Sequence, residues 1–572
     1  MSLSVIDYSI DRRLHCFRQL LLSGTALLLV ACAVSPEPLT VAEKTARITA
    51  DKLMMFGDIA PVMGPIGLSE AMARAVKYNL DHRVELMNDV VTNAQLELAH
   101  YDMLPKLATS AGYNSRNTDS ASSSESIITH SQSLEPSKSQ ERTLLSSQLA
   151  LTWNVLDFGV SYIRAKQMAN RGLMAEEQRR KVVQNIIQDV RYAYWRAIAA
   201  ERLLARIEPL AQRVEAALID ARKLEKQLAR APLEELQYQR ALLSTLERLK
   251  GLRRDLVAAK TQLGALMNMR PGTEFTLVVP ADETITVPKM TAQPHEMEEV
   301  ALLNRPELIQ ATYQSRISLS ETNRILLEML PGVNLGISGN YDSNRYTVNN
   351  AWASYGVNIA WNLLTLVSTP ARLDVAEADQ KLIEMKRAAL SMAVLAQVDV
   401  AFLRYQQSVD EYTTANDQAD VERRIFQQLS NAGLAKQVGE LAVIQAEADD
   451  VFGVLRRDTA YANLQNAYGG ILVSIGADPM PDAVSDYKLD TLASAIGATL
   501  HSWEDGTALQ KTLALLKNTD AVKTSSEKPS DPDESVPASV LPPSSASSES
   551  VVAFLEDAFR HAGPAGPVPT ER

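Results

Sequence analysis

The sequence predicts a mainly α-helical chain with a small β part, internally duplicated, in which long helical hairpins carry amphipathic strands at one end. Three observations carry that expectation. Of 572 residues only 5% are aromatic, while Ala, Leu, Glu, Gln and Arg crowd the middle of the chain, a composition of long helices rather than of a sheet-rich enzyme. Two stretches match each other at a separation of about 225 residues. Period-two runs of roughly ten residues stand directly before helical runs of exceptional length.

The N-terminus reads as an export signal. Arg12, Arg13 and Arg18 precede an apolar run from Leu20 to Val30, broken only by Ser23, Gly24 and Thr25. About a dozen apolar residues are too few to span a bilayer but suit a signal-peptide core. The run ends in Leu29, Val30, Ala31 and Cys32, which resembles a bacterial lipobox. On that reading residues 1–31 are removed and Cys32 becomes an acylated (palmitate-type) anchor in outer-membrane lipid. An ordinary signal peptide with an incidental cysteine is the alternative. Cys16 and Cys32 are the two cysteines, so the body of the chain holds neither a disulfide nor a cysteine zinc site. No later segment is expected to approach the ~20 apolar residues of a membrane helix.

Self-comparison divides the rest. Ala75 to Arg83 matches Ala301 to Leu308, and each stretch leads to Met-Leu-Pro, at Met103–Pro105 and Met329–Pro331. The pairs Trp153-Asn154 and Trp361-Asn362 then open the two long helical regions. The expected order is an N-terminal linker (32–65), a first repeat (66–270), a Pro-rich inter-repeat linker (271–295), a second repeat (296–480), a short segment (481–517) and a disordered Ser/Pro/Glu-rich tail (518–572).

Four segments read as strands. Val333, Leu335, Ile337 and Tyr341 alternate with Asn334, Ser338 and Asn340; Tyr355, Val357, Ile359 and Trp361 alternate with Ser354, Gly356 and Asn358. In the first half Leu149, Leu151, Trp153 and Val155 alternate with Gln148, Thr152 and Asn154, and Leu107 to Tyr113 is a weaker run with Thr109 on its apolar side. Aromatic residues at the ends (Tyr113, Trp153, Tyr341, Trp361) suit membrane interfaces, as in transmembrane strands with lipid outside and water inside. Soluble hairpins resting on a core are the other reading. If the strands do cross a membrane, four cannot close a barrel, which needs about eight. An open edge in hydrocarbon leaves unpaired backbone groups at several kcal/mol each. Identical copies must then pool their strands, and two, three or four copies remain open.

Helical periodicity over 161–229 predicts a helix about 100 Å long at 1.5 Å per residue, with Val183, Ile186, Ile187, Val190, Tyr194, Ala197 and Ile198 on its apolar stripe and a kink at Pro209. The return helix carries Leu242, Leu249, Leu256 and Leu263 in sevens, the pattern of left-handed supercoiling. Turns are expected at Ala231-Pro232 and at 431–434, around Gly433 and Leu434. A plain coiled-coil rod would explain the helices, though not the strands and the duplication.

At this point the residues resemble a family, the TolC-like outer-membrane efflux ducts (outer-membrane factors), and especially their lipoprotein branch. The likeness rests on Leu68–Ala71 through Asn79, Leu104-Pro105 before the first strand, Trp153–Gly159 after the second, and Asn431 to Ala448, and it covers roughly 66–480. It implies a homotrimer with a twelve-stranded barrel in the bacterial outer membrane and a periplasmic tunnel of twelve helices. It also implies a periplasmic adaptor (membrane fusion) protein docked at the helical turns Ala231, Pro232, Gly433 and Leu434, and an inner-membrane transporter that supplies energy. Drugs, metals, other small molecules or secreted polypeptides would pass through. Acidic residues often ring the tunnel entrance in this family; here Gly439 and Ala442 occupy the matching positions, and Glu440 is the entrance candidate. The second half also has Leu364–Val367 in place of the Asp-Phe-Gly at 157–159.

No chemistry of catalysis is expected. The seven histidines fall at no metal-ligand spacing, and no phosphate loop, nucleophile elbow or zinc-helix motif occurs, so neither enzyme activity nor a cofactor is predicted. With 69 acidic against 57 basic residues and net charge −12, nucleic acid is not an expected partner. The alternative function is a periplasmic, lipid-anchored coiled-coil scaffold or adaptor.

Overall fold

Asparagine sets the point where strand becomes helix in both halves. The Asn154 carboxamide oxygen accepts the N–H groups of Leu156 at 2.9 Å and Asp157 at 3.1 Å, and the Asn362 oxygen accepts that of Leu364 at 3.2 Å. Each satisfies donors that a helix start leaves orphaned. Val155, expected as a strand residue, therefore opens a helix, and Trp361 lies just past its strand.

The structure, a computed structural model, describes residues 36–133, 135–226, 232–281, 285–290, 292–480 and 486–514. Cys32 with the export signal, Ala231, and the tail from 515 lie outside the described residues. After α1 (Val41–Phe56), the first half runs α2 (Leu68–Tyr78), α3 (Leu80–Tyr101), β1 (Lys106–Ser115), β2 (Ala121–Ser122), β3 (Ser137–Lys138), β4 (Thr143–Asn154), α4 (Val155–Lys226) and α5 (Pro232–Leu266). The second runs α6 (Pro294–Asn304), α7 (Pro306–Leu327), β5 (Gly332–Asp342), β6 (Ala351–Ala360), α8 (Leu363–Leu434) and α9 (Glu440–Ser474), with α10 (Leu489–Glu504) after it.

The halves agree element by element. Helices α2 and α6 have 11 residues each, α3 and α7 have 22, α4 and α8 have 72, and α5 and α9 have 35. A helix of 72 residues is about 108 Å long, and α4 continues through Pro209. The joints agree as well: Asn79 and Arg305, between the first two helices of each half, are both extended, at φ/ψ −60/131 and −63/123. The added element of the first half is the β2–β3 hairpin inside the 116–142 loop. The strands form one antiparallel sheet in the order β1-β4-β5-β6, so the two halves join through β4 and β5.

Two apolar clusters hold the helices. One gathers Ile66, Met72, Val190, Tyr194, Leu263, Met267, Leu492 and Ile496, with the Tyr194 hydroxyl donating to the carbonyl of Val278 at 3.1 Å. The other joins Leu203, Leu210 and Val214 of α4, Leu242, Leu249 and Leu256 of α5, and Ile444 and Val451 of α9. The leucine sevens are the seam, as their spacing predicted. Leu249 is wholly buried, so Leu249→Ala should cost ~2–5 kcal/mol through lost transfer energy and a cavity. Thermal melting of the helical circular-dichroism signal measures that cost, and an unchanged midpoint would contradict the seam.

Contrary to expectation, one helix is apolar enough to cross a membrane by length and composition alone. An 18-residue window of α8 has a mean hydropathy of 1.3 and is 17% buried. On the same helix Val375, Leu382, Met385, Met392, Val400 and Leu403 are all exposed and recur at steps of three, seven or eight. A stripe at that spacing faces a partner helix, and the remainder of α8 carries charges such as Lys386, Arg387 and Asp399.

Candidate functional site

Residues opposite each other on neighbouring strands point to the same face, so the register sorts the sheet into two. Leu107, Leu151, Ile337 and Tyr355 form one cross-sheet row, and Trp153, Leu335 and Val357 form the next row on that side. Thr109, expected on the apolar side, stands with Leu149. The apolar face lies bare: Tyr355 is 90% exposed, Val357 68% and Ile359 66%. The opposite face is mostly polar and laced by hydrogen bonds. Asn154 Nδ2 donates to Asn334 Oδ1 at 2.9 Å, the hydroxyls of Ser338 and Ser354 are 2.8 Å apart, and Asn340 Nδ2 donates to Ser354 Oγ at 3.0 Å.

The four end aromatics fall at two levels. Tyr113 and Tyr341 are near the loop end of their strands. Trp153 stands at the helix end, edge-on to Phe158 with ring centroids 5.8 Å apart. Trp361 is there too, its Nε1 donating to the carbonyl of Met329 at 2.9 Å. From the row of Tyr341 to that of Trp153 is about 20 Å along the strand at ~3.3 Å per residue.

Among the described residues β1 pairs only with β4 and β6 only with β5, leaving a free edge on each side of the sheet. The helices repeat this order. Helix α3 packs on α4, α4 on α7 and α7 on α8, so α3 lies on the β1 side and α8 on the β6 side. Each outer helix bares an apolar stripe: Leu80, Val84, Met87, Val91, Leu98 and Tyr101 on α3, against the α8 stripe. Sheet and helical wall thus end in the same two unpartnered sides.

Towards the turns the order becomes α5, α4, α9, α8, and a ladder of ion pairs ties α4 to α9. Arg202 reaches Asp458 at 3.3 Å, Arg206 pairs with Asp450, and Arg213 pairs with Glu447. Asp458 is also held by Arg457 at 2.9 Å. The adjacent Asp449 and Asp450 divide: Asp449 is exposed and lies 3.9 Å from Arg248, while Asp450 is 3% exposed. Nearby on α8, burial pushes the Glu422 carboxyl above its usual range, opposed by Arg456 and reinforced by Asp449 and Asp450. Sequence reasoning missed this ladder.

The second turn is displaced from its expected position. Gly433 and Leu434 belong to the last turn of α8, and the reversal occupies 435–439, with Lys436 at φ 58°. N–H groups of Ala435, Lys436 and Gln437 cap α8 by donating to the carbonyls of Asn431, Gly433 and Ala432. Gly433 is required by close approach, since a Cβ there would stand 2.7 Å from Val443 Cγ2. Leu434 is 83% exposed. Glu440 is exposed in the first turn of α9, where a carboxylate complements the helix dipole. Pro232 begins α5.

No protein-family model and no curated protein matches the sequence. Solved structures do match. Over 73% of this chain and 95% of its own, CusC aligns at 15% identity and TM-score 0.55. The MtrE outer-membrane channel of Neisseria gonorrhoeae, solved in an open state, aligns over 71% and 89% at 18% and 0.52, and the CmeC outer-membrane channel of Campylobacter jejuni over 72% and 85% at 12% and 0.55. The open-edged sheet standing on a long helical wall is therefore the fold of the outer-membrane channels.

Proposed function

We propose that the chain is one subunit of a homotrimeric exit duct in the bacterial outer membrane, passing solutes outward from the periplasm without chemistry of its own. The observation that carries this reading is the coincidence of a bare apolar sheet face with two free edges. In water such a face is a liability and such edges invite aggregation; in a bilayer the face is solvated and the edges close on other copies. A head-to-tail contact between unlike sides forms a ring when its rotation closes, and the α3 and α8 stripes supply the helical part of the same seam. Three copies, favoured by the resemblance and by the fold, give twelve strands with the polar face lining a pore.

In this reading Tyr113 and Tyr341 lie at the outer membrane interface and Trp153 and Trp361 at the inner one. Cys32 adds a lipid anchor. The turns at 231–232 and 435–439, the second entered through Gly433 and Leu434 at the end of α8, take a periplasmic adaptor, with an inner-membrane transporter behind it, and Glu440 borders the tunnel entrance. The test is fractionation followed by electrophoresis. A Cys32→Ser protein should stay with outer membranes after carbonate washing and run as a heat-dissociable trimer. A protein released by the wash as monomer would instead be the lipid-anchored scaffold.

A further inference from the structure

The loop from β1 to β4 carries a device that the duct itself does not use. Between Ser115 and Ser133 the only large apolar side chains are Ile127 and Ile128, in a run of small, polar and charged residues. Both are almost wholly bare, at 92% and 91% exposure. The segment that presents them is braced. Ala121 and Ser122 of β2 pair with Lys138 and Ser137 of β3. Below the isoleucines, the N–H of Ser133 donates to the carbonyl of Ser124 at 2.8 Å, and that of Ser126 to Ser131 at 3.0 Å. At the foot, Arg142 Nε and Lys138 Nζ donate to Asp119 at 2.9 and 3.0 Å. These bonds hold the Asp119 carboxyl down at about 2, so the clamp is present at ordinary pH and is lost only as the medium is acidified through that value. The β5–β6 loop braces the side: Asn344 Nδ2 donates to the carbonyl of Ser139 at 2.9 Å, and Arg345 pairs with Glu141 at 3.0 Å.

A stiffened hairpin that holds two β-branched apolar side chains in water is an interaction surface, and ring closure decides what it can meet. The hairpin rises from the strand ends opposite the helices, so every copy places one tip at the same mouth. Twelve strands spaced ~4.8 Å apart and tilted ~40° give a ring radius of about 12 Å. The chain from Arg116 to Ile127 can extend up to about 36 Å, ample to reach the axis. Glu125 of each tip is 3.4 Å from His130 of the same tip.

We propose that the Ile127–Ile128 tips of three copies meet on the ring axis and close the outer mouth with an apolar plug. A constriction of that kind blocks ions by excluding water. The inference rests on the three-copy ring proposed above. Its test uses the full-length protein purified from outer membranes. Unheated gels first establish the trimer. Ile127→Cys, oxidised, should then yield disulfide-linked dimers within that trimer, and Ile127→Asp/Ile128→Asp should raise single-channel conductance in planar bilayers severalfold. A trimer without tip crosslinks, or with crosslinks but unchanged conductance in the aspartate variant, would overturn the plug and leave the duct standing. Absence of the trimer would overturn both.

Discussion

Ile337→Arg should abolish the trimer, whereas Ser338→Arg, one residue along, should assemble normally. Ile337 is sixth of the eleven residues of β5, between Leu151 and Tyr355 on the apolar face and 60% exposed. A guanidinium there would face hydrocarbon near the bilayer midplane, at a cost of ~2–4 kcal/mol per copy, incurred once in every subunit. Ser338 points to the other face, between Ala150 and Ser354, where water solvates an added charge. The measurement is the yield of heat-dissociable trimer in outer-membrane fractions. Equal yields from the two variants would mean that the faces have been assigned to the wrong solvents.

The second large effect belongs to the ladder between α4 and α9. Arg206→Ala leaves the Asp450 carboxylate, whose side chain is 4% exposed, buried without its cation. Breaking a buried pair from one side costs ~3–5 kcal/mol. The lower end is expected, because Arg206 keeps 39% of its side chain open to water. Replacing both partners, Arg206→Met with Asp450→Leu, removes the stranded charge and should restore most of the loss. Melting midpoints at one fixed heating rate compare the variants. A double replacement that melts below Arg206→Ala would show that the charges themselves are needed.

Much of this fold can be read without coordinates, and the reasons are local. Period-two alternation exposed the strands of the second half because neither face there is diluted, while β1, with Thr109 among its apolar positions, read weakly. The Trp-Asn pairs marked both helix starts because asparagine is a cap. The leucine sevens identified the α5 seam because supercoiling enforces strict repetition. What escaped depends on distance or on overlooked detail. The ladder joins residues 234 to 256 positions apart, and nothing within α4 or α9 announces its antiparallel partner. The local sign of it is Asp450, an acid set among Ala446, Ala448, Val451 and Val454. Helix α1 falls within the expected N-terminal linker, yet its start is local too: Thr40 and Glu43 form a capping box, a three-residue spacing that marks a helix start. The α8 stripe was hidden because its apolar residues are interspersed with charges such as Lys386, Arg387 and Asp399, and in the proposed ring its partner is another copy.

The two unlike sides of the subunit have a genetic corollary. The proposed head-to-tail ring of three has no spare contact: every member both offers one side and receives the other. A subunit able to engage on one side alone would join a nascent ring and stall it. In a cell making equal amounts of sound and defective chains, random mixing leaves only about one ring in eight wholly sound. Lesions confined to one side should therefore be dominant, whereas lesions that prevent folding altogether should be recessive.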